Sequence, residues 1–352
     1  MDMTLLGSTG IRVSRLALGT MTFGSAWGWG ADEKESRAIF DLYDEVGGNF
    51  IDTADIYTAG ESETLLGRLL TGRRDRFVVS TKYGIATSAE DLNSSGSHLK
   101  NLHTSIDASL KRLATDYIDL LWVHVWDGVT PIDATLTALE RAVSSGKVLH
   151  VGLSDHPAWL VARIDAIAEA RGAFRLAAIQ VEYSLAQREA ERELIPMARH
   201  LGLSVLDWSP LAGGALTHRD TTNRPHIERA DAVAHFAQYR DQRTADIADV
   251  VRTIAEQHSA TPPQIALAWI LHQAPEHIPI IGARTVAHAR DNFGALELKL
   301  SETELATLQQ ASSIPLGFPV QFLRDGRSGW FHNLDHRIDK QRTGPDHQLL
   351  AE

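Results

Sequence analysis

The sequence contains no cysteine, which excludes disulfides, thiolate metal sites and cysteine nucleophiles together. Positive charge is also scarce: 34 Lys and Arg against 45 Asp and Glu give a net charge of −11. The resulting field repels nucleic acid and anionic lipid, so no nucleic acid or membrane partner is expected. Any bound anion has to be gripped locally, by Arg, Lys and backbone N–H groups. Long apolar runs are missing too, none approaching the roughly 20 residues of a membrane span. The N-terminal MDMTLLGSTG has no basic segment followed by an apolar run, and a soluble, cytoplasmic protein is the expectation. Low-complexity tracts are absent, and oligomeric state leaves no trace in the sequence.

What is present is a rhythm. Eight short apolar runs end in Gly, Ser, Asp or Pro: LALGT, FIDTA, FVVSTK, IDLLWVH, VLHVGLS, AAIQVEYS, VLDWSP and IPIIGA. Near-continuous apolar strands of this kind suit a parallel sheet buried on both faces. Helical periods lie between them, such as Leu102, Ile106, Leu110 and Leu113, or Leu136, Leu139 and Val143. Leu160, Ile164 and Ile167 continue the alternation, as do Leu194, Ala198 and Leu201. With short connections throughout, the pattern predicts an α/β protein with one closed (β/α)8 TIM barrel rather than an open sheet. TLLGSTGIRVS reads as an N-terminal β-hairpin able to plug the bottom. Residues 211–245 form a polar excursion, and a capped helix starts at Ser301 with Glu304 three residues on. The expected division is a barrel over 1–315 and a C-terminal extension over 316–352 that packs on its rim, not a second domain.

Active sites of such barrels sit at the carboxyl ends of the strands, so the residues ending each run matter most. These include Asp52, Tyr57, Lys82 and His124 on strands two to four, then Ser154, Asp155, Gln180, Trp208, Ser209, Gly282 and Arg284. An ammonium beside a phenol makes the phenol a usable acid near neutral pH. Lys82 can serve Tyr57 in this way, Asp52 can hold Lys82, and His124 can donate to an oxygen lying between itself and Tyr57. Such a group polarises and protonates a carbonyl, yet it lacks a nucleophile or metal, so the other reactant should be a hydride donor on a cofactor. Trp208 offers a flat face for a nicotinamide, and Ser154, Asp155 and Gln180 can hold its carboxamide. Gly213, Gly214 and the amides near Gly282 can meet phosphates, and Arg219 and Arg284 could grip a 2′-phosphate.

The order of motifs resembles the aldo-keto reductases over roughly residues 3–315: LGSTGIRVSRLALGTMTFG, GGNFIDTADIYTAGESETLLGRLL, VVSTKYG, DYIDLLWVH, GKVLHVGLSD, QVEYSL, WSPLAGG and IPIIGARTVAHARDN. The resemblance implies reduction of aldehydes or ketones with NADPH, NADH being possible, and no metal. It implies a catalytic tetrad of Asp52, Tyr57, Lys82 and His124 with Tyr57 as the acid. It further implies that Gly19, Thr20 and Met21 border the cofactor, and that Ser209, Leu211 and Gly213 line the pyrophosphate with Arg219 nearby. On the same basis Gly282, Arg284, His288, Asp291 and Asn292 surround the adenosine, while Trp27, Trp29 and Trp126 wall a small carbonyl substrate. Asp155 stands where many members have Asn, Arg219 where many have Lys, and Asp207 before Trp208 is unusual.

Two other functions use the same residues. A metal-dependent barrel hydrolase would gather Asp52, Asp55, His124, Asp155 and His156, with Lys82 as an unwelcome charge beside the metal. An NADPH-binding redox sensor with little turnover would keep the fold without the chemistry. Asp55 and Glu61 read more simply as turn and helix-start acids.

Overall fold

The computed structural model describes residues 1–217 and 234–330. All eight apolar runs become strands: β3 (Ala17–Gly19), β4 (Phe50–Asp52), β5 (Val78–Tyr83), β6 (Ile118–Val123), β7 (Val148–Ser154), β8 (Leu176–Glu182), β9 (Ser204–Trp208) and β10 (His277–Gly282). They close into one parallel barrel in sequence order, β10 pairing with β3 through Ile281 and Leu18. Every residue of β5 and β6 is buried, the polar Ser80, Thr81, Lys82 and Asp119 along with the apolar ones. The registers Asp52 to Ser80 and Lys82 to Trp122 level the strand ends that carry the polar residues.

The interior of the barrel is filled from below. The hairpin β1 (Met3–Leu5) and β2 (Arg12–Ser14) inserts Leu6 and Val13, both fully buried, among Phe50, Leu120, Trp122, Leu206 and Ile278. Gly7 sits at φ +51° with its N–H on the Ser204 hydroxyl at 2.8 Å, and a Cβ there would meet the Ala177 carbonyl oxygen at 2.2 Å. Only glycine lets the plug approach so closely. Gly152 has the same purpose on β7: a Cβ would lie 2.4 Å from the ring of Trp122, the largest side chain inside the barrel.

The outer ring follows the expected periods. In α3 (Leu99–Leu113) Leu102, Ile106 and Leu113 are buried, and in α4 (Ile132–Ser144) Leu136 and Leu139 are. The remaining helices among the described residues are α1 (Glu33–Glu45), α2 (Glu61–Leu70), α5 (Ala158–Arg171), α6 (Leu194–Leu201), α7 (Gln242–His258), α8 (Pro262–Leu271), α9 (Val286–Phe293), α10 (Glu302–Ala311) and α11 (Val320–Trp330). The capping box at Ser301 and Glu304 opens α10 as read from the sequence. The polar excursion contains short 3₁₀ turns at Ala212–Gly214 and Ala234–Tyr239, and its middle lies outside the described residues, as does the tail beyond Trp330. No helix among the described residues is long and apolar enough to cross a membrane.

Candidate active site

The carboxyl ends of the strands open into a cavity of about 790 Å³ lined by Asp52, Tyr57, His124, Ser154, Gln180, Trp208 and Arg284 among others. At its floor Lys82, 1 % exposed, uses all three ammonium donors on fixed oxygens: Asp52 Oδ2 at 2.5 Å, the Thr53 carbonyl at 2.8 Å and the Tyr57 hydroxyl at 3.1 Å. Asp52 is held in turn, its Oδ1 accepting from Ser80 Oγ at 2.7 Å and Gln180 Nε2 at 3.0 Å. Burial works against the charge of Lys82, but Asp52 and Tyr57 outweigh it and raise its pKa above the ordinary value. The nitrogen is therefore held as an ammonium near neutral pH, and one of its protons faces the phenol oxygen.

His124 follows β6 and approaches Tyr57 edge-on, ring centroids 6.1 Å apart at 80°. Burial, reinforced by the Lys82 charge, holds its imidazole well below the ordinary value, so the ring is neutral. Its buried Nδ1 has no partner. A neutral imidazole and a phenol backed by an ammonium, facing one cavity, can bind and protonate a single oxygen.

Beyond this group the cavity runs past Trp208. Its indole N–H donates to Asp155 Oδ1 at 3.0 Å, so the carboxylate expected to hold a ligand also orients the indole. Asp155 is reachable from the cavity but crowded by protein on its other sides, and burial pushes its carboxyl up to about 6 despite the bonds from Trp208 and Ser154. The turn after β9 runs through left-handed backbone at Ser209, Ala212, Gly213 and Gly214. There the expectation needs correction: the Gly213 N–H is bonded to Ser209 Oγ and the Gly214 N–H to the Leu211 carbonyl, so neither is a free donor for phosphate.

Other expectations are also revised. Thr20 is fully buried and does not line the cavity; its hydroxyl donates to the Asp52 carbonyl and accepts from Ser62, while Thr22 lines the wall instead. Gly19 and Met21 do border the space. Trp27 lines it, but Trp29 packs behind Trp27 at 5.5 Å, and Trp126, 44 % exposed, sits edge-on to Trp159 outside it. Gly282, Arg284, His288, Asp291 and Asn292 line the far end. The carboxylate of Asp291 is nevertheless engaged by Thr261 and Gln264, and the Val286 N–H at the start of α9 by Glu35. Arg219 lies outside the described residues.

The acids near Tyr57 differ from their first reading. Asp55 is buried without a side-chain partner, and burial with the nearby Glu63 charge raises it to about 7. Glu61 does begin α2, yet its carboxylate leaves the helix and accepts from the Ser25 and Ala26 N–H groups. The sequence reading also missed His235 and Phe236, which reach the cavity from the excursion; His235 stands 5.7 Å from the Trp208 ring and bonds Glu182. The aromatic HFAQY within a polar stretch was the available signal. No group of three or more His, Cys, Asp or Glu converges as metal ligands among the described residues.

A model described as the aldo/keto reductase family matches residues 15–313. The chain is 36 % identical over 329 residues to a norsolorinic acid reductase of Aspergillus flavus, covering 91 % of this chain and 83 % of that one. It is 35 % identical over 331 residues to an aryl-alcohol dehydrogenase of Pestalotiopsis microspora, covering 92 % and 85 %. It is also 31 % identical over 347 residues to an NADP(+) aryl-alcohol dehydrogenase of Phanerodontia chrysosporium, covering 93 % and 89 %.

Proposed function

The chain belongs to the aldo/keto reductase family, and from that premise we propose that it reduces an aromatic aldehyde or ketone to the alcohol, and catalyses the reverse oxidation, with NADPH as the hydride donor and Tyr57 as the acid. It is an oxidoreductase acting on CH–OH groups. The observation that carries the reading is the Lys82 ammonium, fixed by Asp52 and Thr53 and facing the Tyr57 hydroxyl.

The carbonyl oxygen binds between Tyr57 and the neutral His124. As negative charge grows on that oxygen, the Tyr57 proton moves to it, and Lys82 stabilises the phenolate left behind. Asp52 keeps Lys82 in place and charged, so the ammonium does not wander to the substrate. In the oxidation direction Tyr57 takes the alcohol proton back. A nicotinamide bound in the cavity supplies the hydride.

The donor set fits such a cofactor. Trp208, oriented by Asp155, offers the flat face; Ser154 and Gln180 stand beside it for the carboxamide; Ser209, Leu211 and Gly213 wall the middle; and Gly282, Arg284, His288, Asp291 and Asn292 close the far end. Arg284 is the cation that would favour NADPH over NADH, because a guanidinium matches a phosphate in charge and geometry. Trp27, backed by Trp29, favours a flat aromatic substrate, and the names of the aryl-alcohol relatives agree with this.

The test is turnover of benzaldehydes and of short aliphatic aldehydes with NADPH and NADH, with and without a chelator. We expect aromatic aldehydes to be preferred, NADPH to exceed NADH by about tenfold or more in kcat/KM, as one charge-assisted contact allows, and the chelator to have no effect. Binding of NADPH without turnover of any carbonyl would contradict the proposal in favour of a sensing module.

A further inference from the structure

The turn that carries Tyr57 is bolted to the loop that carries Trp27. Thr58, Ala59 and Gly60 all have positive φ, at 47°, 56° and 86°, a run that L residues adopt only when their surroundings hold them there. The surroundings here are the 20–31 loop. Thr58 Oγ1 donates to the Phe23 carbonyl at 2.8 Å and Ser62 Oγ to the Thr20 carbonyl at 2.7 Å. Glu61 Oε2 alone accepts two successive backbone N–H groups, Ser25 at 2.8 Å and Ala26 at 2.9 Å. Gly24 makes room for this carboxylate, since a Cβ there would lie 2.6 Å from Oε2.

That loop is also closed at its neck and by a turn across Trp27, where the Gly28 N–H bonds the Ser25 carbonyl at 2.9 Å. Gly24 N–H bonds the Ala31 carbonyl at 2.9 Å and Ala31 N–H the Thr22 carbonyl at 2.7 Å. Between these bonds lie two tryptophans among glycines: Trp27, on the cavity wall, and Trp29, packed against it. Trp27 stands inside the Ser25–Gly28 turn, and Glu61, by holding the Ser25 and Ala26 N–H groups, ties that turn to the segment that carries Tyr57.

We propose that Glu61 is a positioning residue for substrate selection: by seating the Ser25 and Ala26 amides it fixes Trp27 over the cavity, so that the site discriminates aromatic from small aliphatic carbonyls. Glu61 touches no reacting atom, and its effect passes through Trp27. The inference rests on the reading of the cavity as a carbonyl site, and the experiment separates the two.

Wild type, Glu61→Gln, Glu61→Ala and Trp27→Ala are compared for kcat and KM with benzaldehyde and with propanal. Glu61→Ala should raise KM for benzaldehyde by about tenfold, the equivalent of roughly one or two lost hydrogen bonds, with kcat and the propanal constants little changed. Glu61→Gln should restore the wild-type pattern, because both N–H groups bond one oxygen and the amide oxygen supplies it. Trp27→Ala should lose the same discrimination, and combining it with Glu61→Ala should add nothing further.

Unchanged benzaldehyde KM in Glu61→Ala would overturn the proposal. So would a Glu61→Gln defect equal to that of Glu61→Ala, or equal losses on both aldehydes. Should Glu61→Ala not fold, retained discrimination in Trp27→Ala would overturn it and lost discrimination would support it together with rescue by Glu61→Gln. Absence of turnover in the wild type itself would instead contradict the carbonyl reading.

Discussion

Asp55 is the residue most changed by its setting. FIDTADIYTAG presents two aspartates three positions apart, and their fates diverge. Asp52 accepts from Lys82, Ser80 and Gln180, whereas Asp55 is buried with no side-chain hydrogen bond, near Glu63, Arg112 and Lys82. Its folded pKa of about 7 stands above the ordinary 3.8. A carboxyl with a raised folded pKa favours the folded state at low pH, and that contribution is lost as pH rises from the unfolded value through the folded one. Asp55→Asn, which cannot ionise, should therefore raise the melting temperature relative to wild type by an amount that grows between pH 4 and 7 and then levels off, measured by thermal unfolding across that range. A pH-independent difference would contradict the burial argument. That Asp52, Lys82 and His124 would meet at one rim was legible because they end strands or follow them directly, with Tyr57 in the turn after β4. Thr20 and Trp126 misled because the next residue along a chain end can face the opposite way, and only packing decides which side chain enters the cavity.

At the level of strands, the apolar runs foretold the barrel since most of their residues are buried, but they could not show what the polar residues inside them pair with. Asp207, odd in sequence, is fully buried on β9 and meets His277 of β10, its carboxylate oxygens 3.1 and 3.2 Å from Nδ1. Burial opposes a charge on His277, yet Asp207 reverses this and raises its pKa above the ordinary value. Tyr183 stacks on the imidazole at 5.1 Å. The pair thus locks β9, which ends in Trp208, to β10, which ends at Gly282. Removing one partner leaves a buried group uncompensated, so His277→Leu should cost about 3–5 kcal/mol in urea unfolding. Replacing both Asp207 and His277 by leucine should recover most of that loss. The turn pairing of Glu61 with Ser25 and Ala26 escaped the sequence reading for a related reason: a carboxylate's backbone partners in a distant loop leave no periodic signal.

On the scale of the whole molecule, a negatively charged barrel plugged below and open above concentrates its chemistry at one rim. Parallel pairing of three neighbouring strands aligns Asp52, Lys82 and His124, and closure of the barrel brings Gln180 of β8 onto Asp52. The chemistry proposed for this rim is delivery of a proton from Tyr57 under the control of Lys82. Its most direct measurement is the single-turnover rate of NADPH oxidation with saturating benzaldehyde in wild type and Tyr57→Phe, alongside NADPH affinity measured by tryptophan fluorescence. The account predicts a rate lower by about 10²–10⁴ in Tyr57→Phe, the usual contribution of positioned acid catalysis, with cofactor affinity unchanged. A rate within about threefold of wild type, far below that contribution, would contradict it.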